Sequence, residues 1–229
     1  MTVTPPTREV IMKIEEQHIN FDFIIRYIRE LVSEDITDLY SFATDRNIPV
    51  AKPETTQLLY ILTLIKRPMR ILEIGTGIGC SAIVMSKGLS EGGKITTIEK
   101  SEDNYKQAIE LISDNNLTEK IEVIHSDAFL SLKKLAQEKE KFDFIFLDGA
   151  KSQYLAYYPY LMELLDKNGV LVSDNVLFKG MIATDELVIR RKITIVKKLR
   201  EYLSCLSTNK ELHTVIIPIG DGVALSFKR

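Results

Sequence analysis

From Met69 onward the chain alternates short apolar runs with longer amphipathic stretches, and this rhythm restricts the fold more than any other feature. The runs cover residues 70–74, 94–98, 121–124, 142–147 and 169–173. Each is too short for a helix, and every gap between them has room for one. Strands separated in this way pair in parallel, because parallel neighbours need a crossover connection, and the helices then cover both faces of the sheet. Residues 101–115 form the clearest crossover helix, and Pro159 is expected in the first turn of the helix leading to Leu165 rather than in its interior. After the last gap the rhythm changes. Residues 214–219 and 223–227 are two apolar runs joined by Gly220-Asp221-Gly222, which is hairpin chemistry. The expectation is an α/β fold with a seven-stranded, mostly parallel, doubly wound sheet ending in an antiparallel hairpin.

Ahead of this core the sequence reads as helical. Residues 8–31 carry Ile11, Ile14, Ile24, Ile28 and Leu31 between charged side chains, residues 33–43 form a second helix, and residues 54–65 a third opened by Pro53. No repeat or linker divides the chain, so residues 1–229 are expected as one domain, with residues 1–66 as a helical cap on a core of residues 67–229. At 229 residues and 45% hydrophobic, the chain can bury a substantial core. Thirty basic against 32 acidic side chains leave a net charge of −2, which removes any global attraction to nucleic acid or membrane. Two cysteines and three scattered histidines exclude a disulfide scaffold and a zinc finger. The first 17 residues hold no apolar run of signal-peptide or membrane-spanning length, so a cytoplasmic protein with no membrane association is expected.

Glu73-Ile74-Gly75-Thr76-Gly77-Ile78-Gly79 follows the first run and precedes an apolar helix over residues 80–89. Glycines there let the backbone turn tightly and approach a ligand. Glu99 ends the next strand, where an acid reaches a pair of ribose hydroxyls, and together these features describe an adenosine site. The glycines alternate, whereas the dinucleotide fingerprint sets its third glycine three residues after the second, which argues against a dehydrogenase. With Glu73 ahead of it, the loop resembles the E-x-G-x-G-x-G loop of methyltransferases. The terminal hairpin is likewise similar to that of the class I S-adenosylmethionine-dependent methyltransferases and their Rossmann-like fold. The resemblance implies S-adenosylmethionine as cofactor, with Glu73 among the residues that bind it, Gly75 and Gly77 beside its methionine part and Ser81 at its carboxylate or amine. It also implies Glu99 on the ribose, Asp127 and Ala128 at the adenine, and Ile48 and Asp148 among the cofactor's surroundings. Asp127 serves equally as the N-cap of the following helix. Cys80, at a helix start, is either a thiol of lowered pKa or a small packing residue.

Two further acids stand where strands should end. Asp148 closes one run, and Asp174 with Asn175 follows another. Ligands in open α/β sheets collect outside the carboxyl ends of the strands, so these side chains should converge near the adenosine site. Their three oxygen donors suit Mg²⁺ or another hard divalent cation, although singly such residues more often make turns and caps. Together, Leu147-Asp148-Gly149-Ala150-Lys151 and Ser173-Asp174-Asn175-Val176 resemble the metal-dependent O-methyltransferases, the group of catechol and caffeoyl-coenzyme A methyltransferases. That resemblance, over about residues 48–229, implies that Asp148, Asp174 and Asn175 hold the cation, that Lys151 contacts the reacting hydroxyl, and that the protein is a homodimer. It makes Asp148 and Lys151 the catalytic pair. Methyl transfer from a sulfonium is an in-line displacement, so the task of such a site is to make a hydroxyl nucleophilic and hold it in line.

Within this family, residues 48–54, 173–180 and 217–226 resemble the bacterial tRNA 5-hydroxyuridine methyltransferases, which implies a tRNA anticodon loop as partner and 5-methoxyuridine as product. The O5 hydroxyl of 5-hydroxyuridine lies beside the O4 carbonyl, an oxygen pair that can chelate a cation as catechol does. On a helix over residues 186–206, Ile189, Ile193, Val196, Leu199 and Leu203 form the expected buried stripe, with Arg190, Arg191, Lys197 and Lys198 opposite. With Lys179, Lys228 and Arg229 these are either a phosphate-facing strip or an ordinary solvated face. Phe178 either stacks on a base or walls a pocket. The alternatives are an O-methyltransferase of small catechol-like phenols and a non-catalytic module that binds S-adenosylmethionine or a nucleotide.

Overall fold

The computed structural model describes residues 21–46 and 48–229, and the expected helical positions Ile11 and Ile14 lie outside them. The chain divides into two compact units, Met1–Leu31 and Val32–Arg229. In the first, helix α1 spans Phe21–Glu30.

In the second unit, helices α2 (Glu34–Thr44) and α3 (Pro53–Lys66) precede strand β1 (Arg70–Ile74). Then follow α4 (Cys80–Ser86), β2 (Lys94–Glu99), α5 (Glu102–Asp114), β3 (Ile121–His125), α6 (Ala128–Gln137) and β4 (Phe142–Leu147). Helix α7 (Tyr154–Leu164), β5 (Leu165–Ser173), α8 (Ile193–Thr208), β6 (Leu212–Ile217) and β7 (Val223–Lys228) complete the chain. The sheet has seven strands in the order β3-β2-β1-β4-β5-β7-β6. β1 to β5 run parallel, while β7 enters antiparallel between β5 and β6.

Strand alternation divides the core between two faces. Leu72, Ile145, Leu147 and Leu171 pack with Leu161 and Leu199 on one side. Ile71, Phe144, Phe146 and Val172 pack with Ile83 and Ile112 on the other. Chain order runs outward from β1 through β2 to β3 on one flank and from β4 to β5 on the other. The carboxyl ends of β1 and β4 therefore border the crevice where such sheets take their ligands.

Four expectations need correction. Pro159 lies inside α7, on its exposed side, while Tyr154, Tyr157, Leu161 and Leu164 bury the other side; that packing offsets the ~3 kcal/mol cost of an interior proline. β5 begins at Leu165, four residues before the apolar run, with a register shift between Phe142 and Phe144 where it pairs with β4. Arg190 and Arg191 occupy a 3₁₀ turn, and α8 starts only at Ile193. Its buried side is Val196, Leu199, Tyr202 and Leu206, leaving Ile189 and Ile193 exposed. Tyr202 is inside because its hydroxyl meets Ser173 Oγ at 2.6 Å, a partner that an aliphatic pattern cannot reveal.

Candidate active site

The turn from β1 into α4 passes hard against the end of β4. Gly75 (φ +99°) stands where a Cβ would lie 2.2 Å from the backbone oxygen of Asp148, so only glycine fits. Its amide and that of Thr76 both donate to the Ile98 carbonyl, at 3.0 and 3.2 Å, which ties the loop to β2. Beneath the loop Glu73 is wholly buried, accepting hydrogen bonds from Ser81 Oγ (2.5 Å) and Thr97 Oγ1 (2.6 Å). Burial pushes its carboxyl up to about 7, opposed by those two bonds and reinforced by the charges of Asp148 and Glu99. Glu99 is used from several sides: Oε2 accepts from Gly77 N (2.9 Å), and Oε1 from Lys100 N (2.9 Å) and Ser101 N (2.7 Å).

Two cavities open at this rim and share Gly75, Glu99 and Asp148. One, of about 280 Å³, also takes in Pro49, Gly77, Ser81, Asn104, Lys151 and Asn175. The other, of about 420 Å³, is walled by Lys100, Asp127, Ala128, Phe129, Gly149 and Tyr157. Glu73 and Ile48 line neither; Ile48 packs beside Ala43, Ile78 and Cys80. Asp127 caps α6, accepting from Phe129 N at 3.0 Å, and pairs with Lys100 Nζ at 3.0 Å, which holds its carboxyl below the usual range. It therefore fills the capping role while still facing the cavity. Cys80 is a packing residue: burial pushes its thiol up to about 12, the reverse of activation.

The strand-end acids converge beside the smaller cavity. Asp148 Oδ1 pairs with Lys151 Nζ at 2.8 Å. Asp174 is buried, with Oδ1 accepting from Asn175 N (2.7 Å) and Oδ2 left without a hydrogen-bond partner. Burial first, then the Asp148 charge, pushes the Asp174 carboxyl up to about 7 against the Asn175 amide and Lys151, with Asp221 adding to the rise. Among the described residues no three His, Cys, Asp or Glu side chains form a metal-holding group.

A family model described as O-methyltransferase matches residues 25–229. The chain belongs to the O-methyltransferase family. It is 30% identical over 196 residues to the caffeoyl-CoA O-methyltransferase of Populus kitakamiensis, covering 84% of this chain and 82% of that protein. The crystal structure of the Bacillus cereus O-methyltransferase in complex with SAH matches with a TM-score of 0.79 at 26% identity, over 90% of this chain and 97% of that one. A Geobacter sulfurreducens methyltransferase matches with a TM-score of 0.72 at 26% identity, over 90% and 96% of the two chains. The fold is accordingly the Rossmann-like one of methyltransferases.

In this O-methyltransferase two contributors to the site were invisible in the sequence. Tyr154 is fully buried, and its hydroxyl reaches the carbonyls of both Leu147 and Asp174 at 3.1 Å. Asp221 Oδ1 accepts from Lys179 N at 2.6 Å and its carbonyl from Leu177 N at 3.0 Å, so the hairpin turn buttresses the loop after Asn175. Gly220-Asp221-Gly222 signalled a turn but not what the turn would touch. Phe178 packs partly buried against the core with Lys192 Nζ 5.7 Å from its ring centre, and it lines neither cavity. Lys228 is engaged too, donating to the Met162 and Leu165 carbonyls at 2.6 and 2.8 Å, which removes it from the expected basic strip.

Proposed function

We propose that this O-methyltransferase takes its methyl group from S-adenosylmethionine and transfers it to one hydroxyl of a vicinal oxygen pair in a reaction that needs a divalent cation. The observation that carries this reading is the pair of cavities that meet at Gly75, Glu99 and Asp148. A ligand with an adenosine at one end and an amino acid at the other suits such a bipartite space: Asp127 and Ala128 border the adenine end, Glu99 the ribose, and Gly77 and Ser81 the methionine end. The cradle around Gly75 fits such a ligand, since the absent Cβ keeps the backbone accessible.

A cation is supported by the orphaned Oδ2 of Asp174 and by the Asp148 carboxylate that raises its neighbour's pKa. Buried like charges of this kind are stable when a positive partner lies between them. Asp148, Asp174 and Asn175 would hold it, and when bound it would stabilise the anion of the acceptor hydroxyl. S-adenosylmethionine supplies an already activated methyl group. What remains for the chain is to orient the acceptor and handle its proton. Lys151, 2.8 Å from Asp148 and lining the same cavity, does the second: as an amine it takes the proton, and as an ammonium it steadies the oxyanion. Methyl transfer is expected to fall at least a hundredfold on chelation of divalent cations and in Asp174→Ala, with binding of S-adenosylhomocysteine, followed by calorimetry, retained in both. Full activity after chelation overturns the metal reading.

For the acceptor we propose 5-hydroxyuridine at the tRNA wobble position. Supporting it are the resemblance over residues 173–180 and 217–226 and the cationic run Arg190, Arg191, Lys197 and Lys198, none of which is ion-paired among the described residues. An anticodon base is already unpaired, so its insertion costs little. A free catechol-like phenol is the second reading, favoured by the caffeoyl-CoA methyltransferase from Populus. Side-by-side assays with hydroxylated tRNA and a free dihydroxyphenol, read by mass spectrometry, separate them: comparable turnover of the phenol overturns the tRNA reading.

A further inference from the structure

We infer that Tyr154 is a positioning residue for the cation site, acting through the peptide that joins Asp174 to Asn175; the inference rests on the ligand set proposed above. Asp148 and the Asp174-Asn175 pair leave adjacent parallel strands just past the last paired rungs, Leu147 opposite Ser173. Beyond that rung the ladder gives out, and the two chain ends are held by Asp174 N donating to Leu147 O at 2.9 Å and by the Tyr154 hydroxyl, 3.1 Å from the carbonyls of both Leu147 and Asp174. Leu147 O thus has two donors. Asp174 O has no other donor among the described residues, and this carbonyl belongs to a residue that is only 1% exposed.

Asn175 sits at φ +55°, in the left-handed region that asparagine tolerates better than other non-glycine residues, so the direction of its side chain depends on what restrains the peptide before it. The Tyr154 hydroxyl supplies that restraint at the carbonyl just before it. If the carbonyl were free to turn, the peptide before Asn175 could swing, and the Asn175 side chain, which lines the same cavity as Asp148, would lose its fixed direction. Tyr154 is itself immobile: it is fully buried, stacks edge-on against Tyr202 at 5.5 Å, and lies one turn beyond Lys151. One ring therefore joins the proton-handling lysine's turn to both strand ends. Tyr154 itself lines neither cavity at the rim, so its hydroxyl acts on the peptides behind the site.

The test uses Mn²⁺ as probe, titrated into the full-length protein without substrate and followed by electron paramagnetic resonance. Tyr154→Phe keeps the ring and removes only the hydroxyl; it is expected to weaken Mn²⁺ binding about tenfold or more, the usual effect of losing a group that orients metal ligands. Affinity for S-adenosylhomocysteine, which depends on the β1 and β2 side of the crevice, should stay within twofold. Tyr202→Phe is the control, since it touches the same ring and Ser173 but no peptide of the ligand set. It should lose thermal stability while Mn²⁺ affinity holds. Equal Mn²⁺ affinity in Tyr154→Phe and the unsubstituted protein overturns the positioning role and leaves the ligand set standing. Equal weakening in both phenylalanine variants also overturns it, as general loosening of the core. Failure of the unsubstituted protein to bind Mn²⁺ removes the ligand set and the positioning role with it. If Tyr154→Phe does not fold, 3-fluorotyrosine at this position, a stronger donor of the same shape, should tighten Mn²⁺ binding, and unchanged binding then overturns the role.

Discussion

Glu73 is a carboxyl group with no access to water, two hydroxyl donors, and two like charges nearby. Its folded-state pKa of about 7 lies above the value of 4.5 for a free carboxyl. Between these values the folded chain keeps a proton that the unfolded chain has lost, so stability falls as pH rises through the window and levels off above it. The penalty at pH 8 is on the order of 3 kcal/mol. Glu73→Gln removes the charge but keeps the shape, and of the Ser81 and Thr97 hydroxyls one goes on donating to the amide oxygen while the other turns to accept from the amide nitrogen. Thermal melts should show the variant more stable than the unsubstituted protein at pH 8 and nearly equal to it at pH 5; a difference independent of pH defeats the argument. At this scale the sequence was informative about type and position but not about surroundings. Asp148, Asp174 and Asn175 could be placed because a strand end fixes where a side chain emerges. Glu73 was expected beside a cofactor; it lies buried under the loop and lines neither cavity, and it meets the smaller one through Ser81, whose hydroxyl it holds. Tyr154 was unreadable because its role depends on the gap between two strands.

The glycine loop acts as an element: its three glycines are left-handed, Gly75 and Gly77 are bound to β2, and Gly75 abuts the end of β4. In Gly75→Ala the new Cβ meets the Asp148 carbonyl at 2.2 Å, and that backbone cannot yield because Asp148 N is held by Ile74 O at 2.9 Å. The unfavourable φ alone costs about 1–3 kcal/mol. For a chain of this size each kcal/mol lowers Tm by about 2–4 °C, so a fall of several degrees is expected together with loss of S-adenosylhomocysteine binding by calorimetry. Binding within twofold and an unshifted Tm would sink the account. The alternation of apolar runs and helical gaps already contained the order of the core, as each run is a strand and β7 returns antiparallel. Element ends were less legible. β5 reaches back to Leu165, which pairs with Phe142 of β4, while polar Asp166, Lys167 and Asn168 fall in the register shift between that pair and Val170, and α8 starts late because three consecutive basic residues before Ile193 turn as a 3₁₀ segment.

Across the whole molecule the near-neutral charge hides an asymmetry. Acids crowd the rim where β1, β2, β4 and β5 end, while a cationic run lies between Arg190 and Lys198, entering α8. The two are linked along the chain by the loop from Asn175, which Asp221 holds from the hairpin and Arg200 holds from α8 through the Met181 and Ile182 carbonyls at 3.3 and 3.0 Å. A phosphate backbone bound to the run would thus stand at a fixed offset from the rim, whereas a small phenol would never reach it. Neutralising Arg190, Arg191, Lys197 and Lys198 together to glutamine should lower kcat/KM for hydroxylated tRNA about tenfold or more and flatten its dependence on salt, because fewer counterions are released on binding. Turnover of a free dihydroxyphenol should be unchanged. An equal fall on both acceptors would mean that the substitutions damaged the catalytic rim, and an unchanged salt slope on tRNA would mean that the run never meets phosphate.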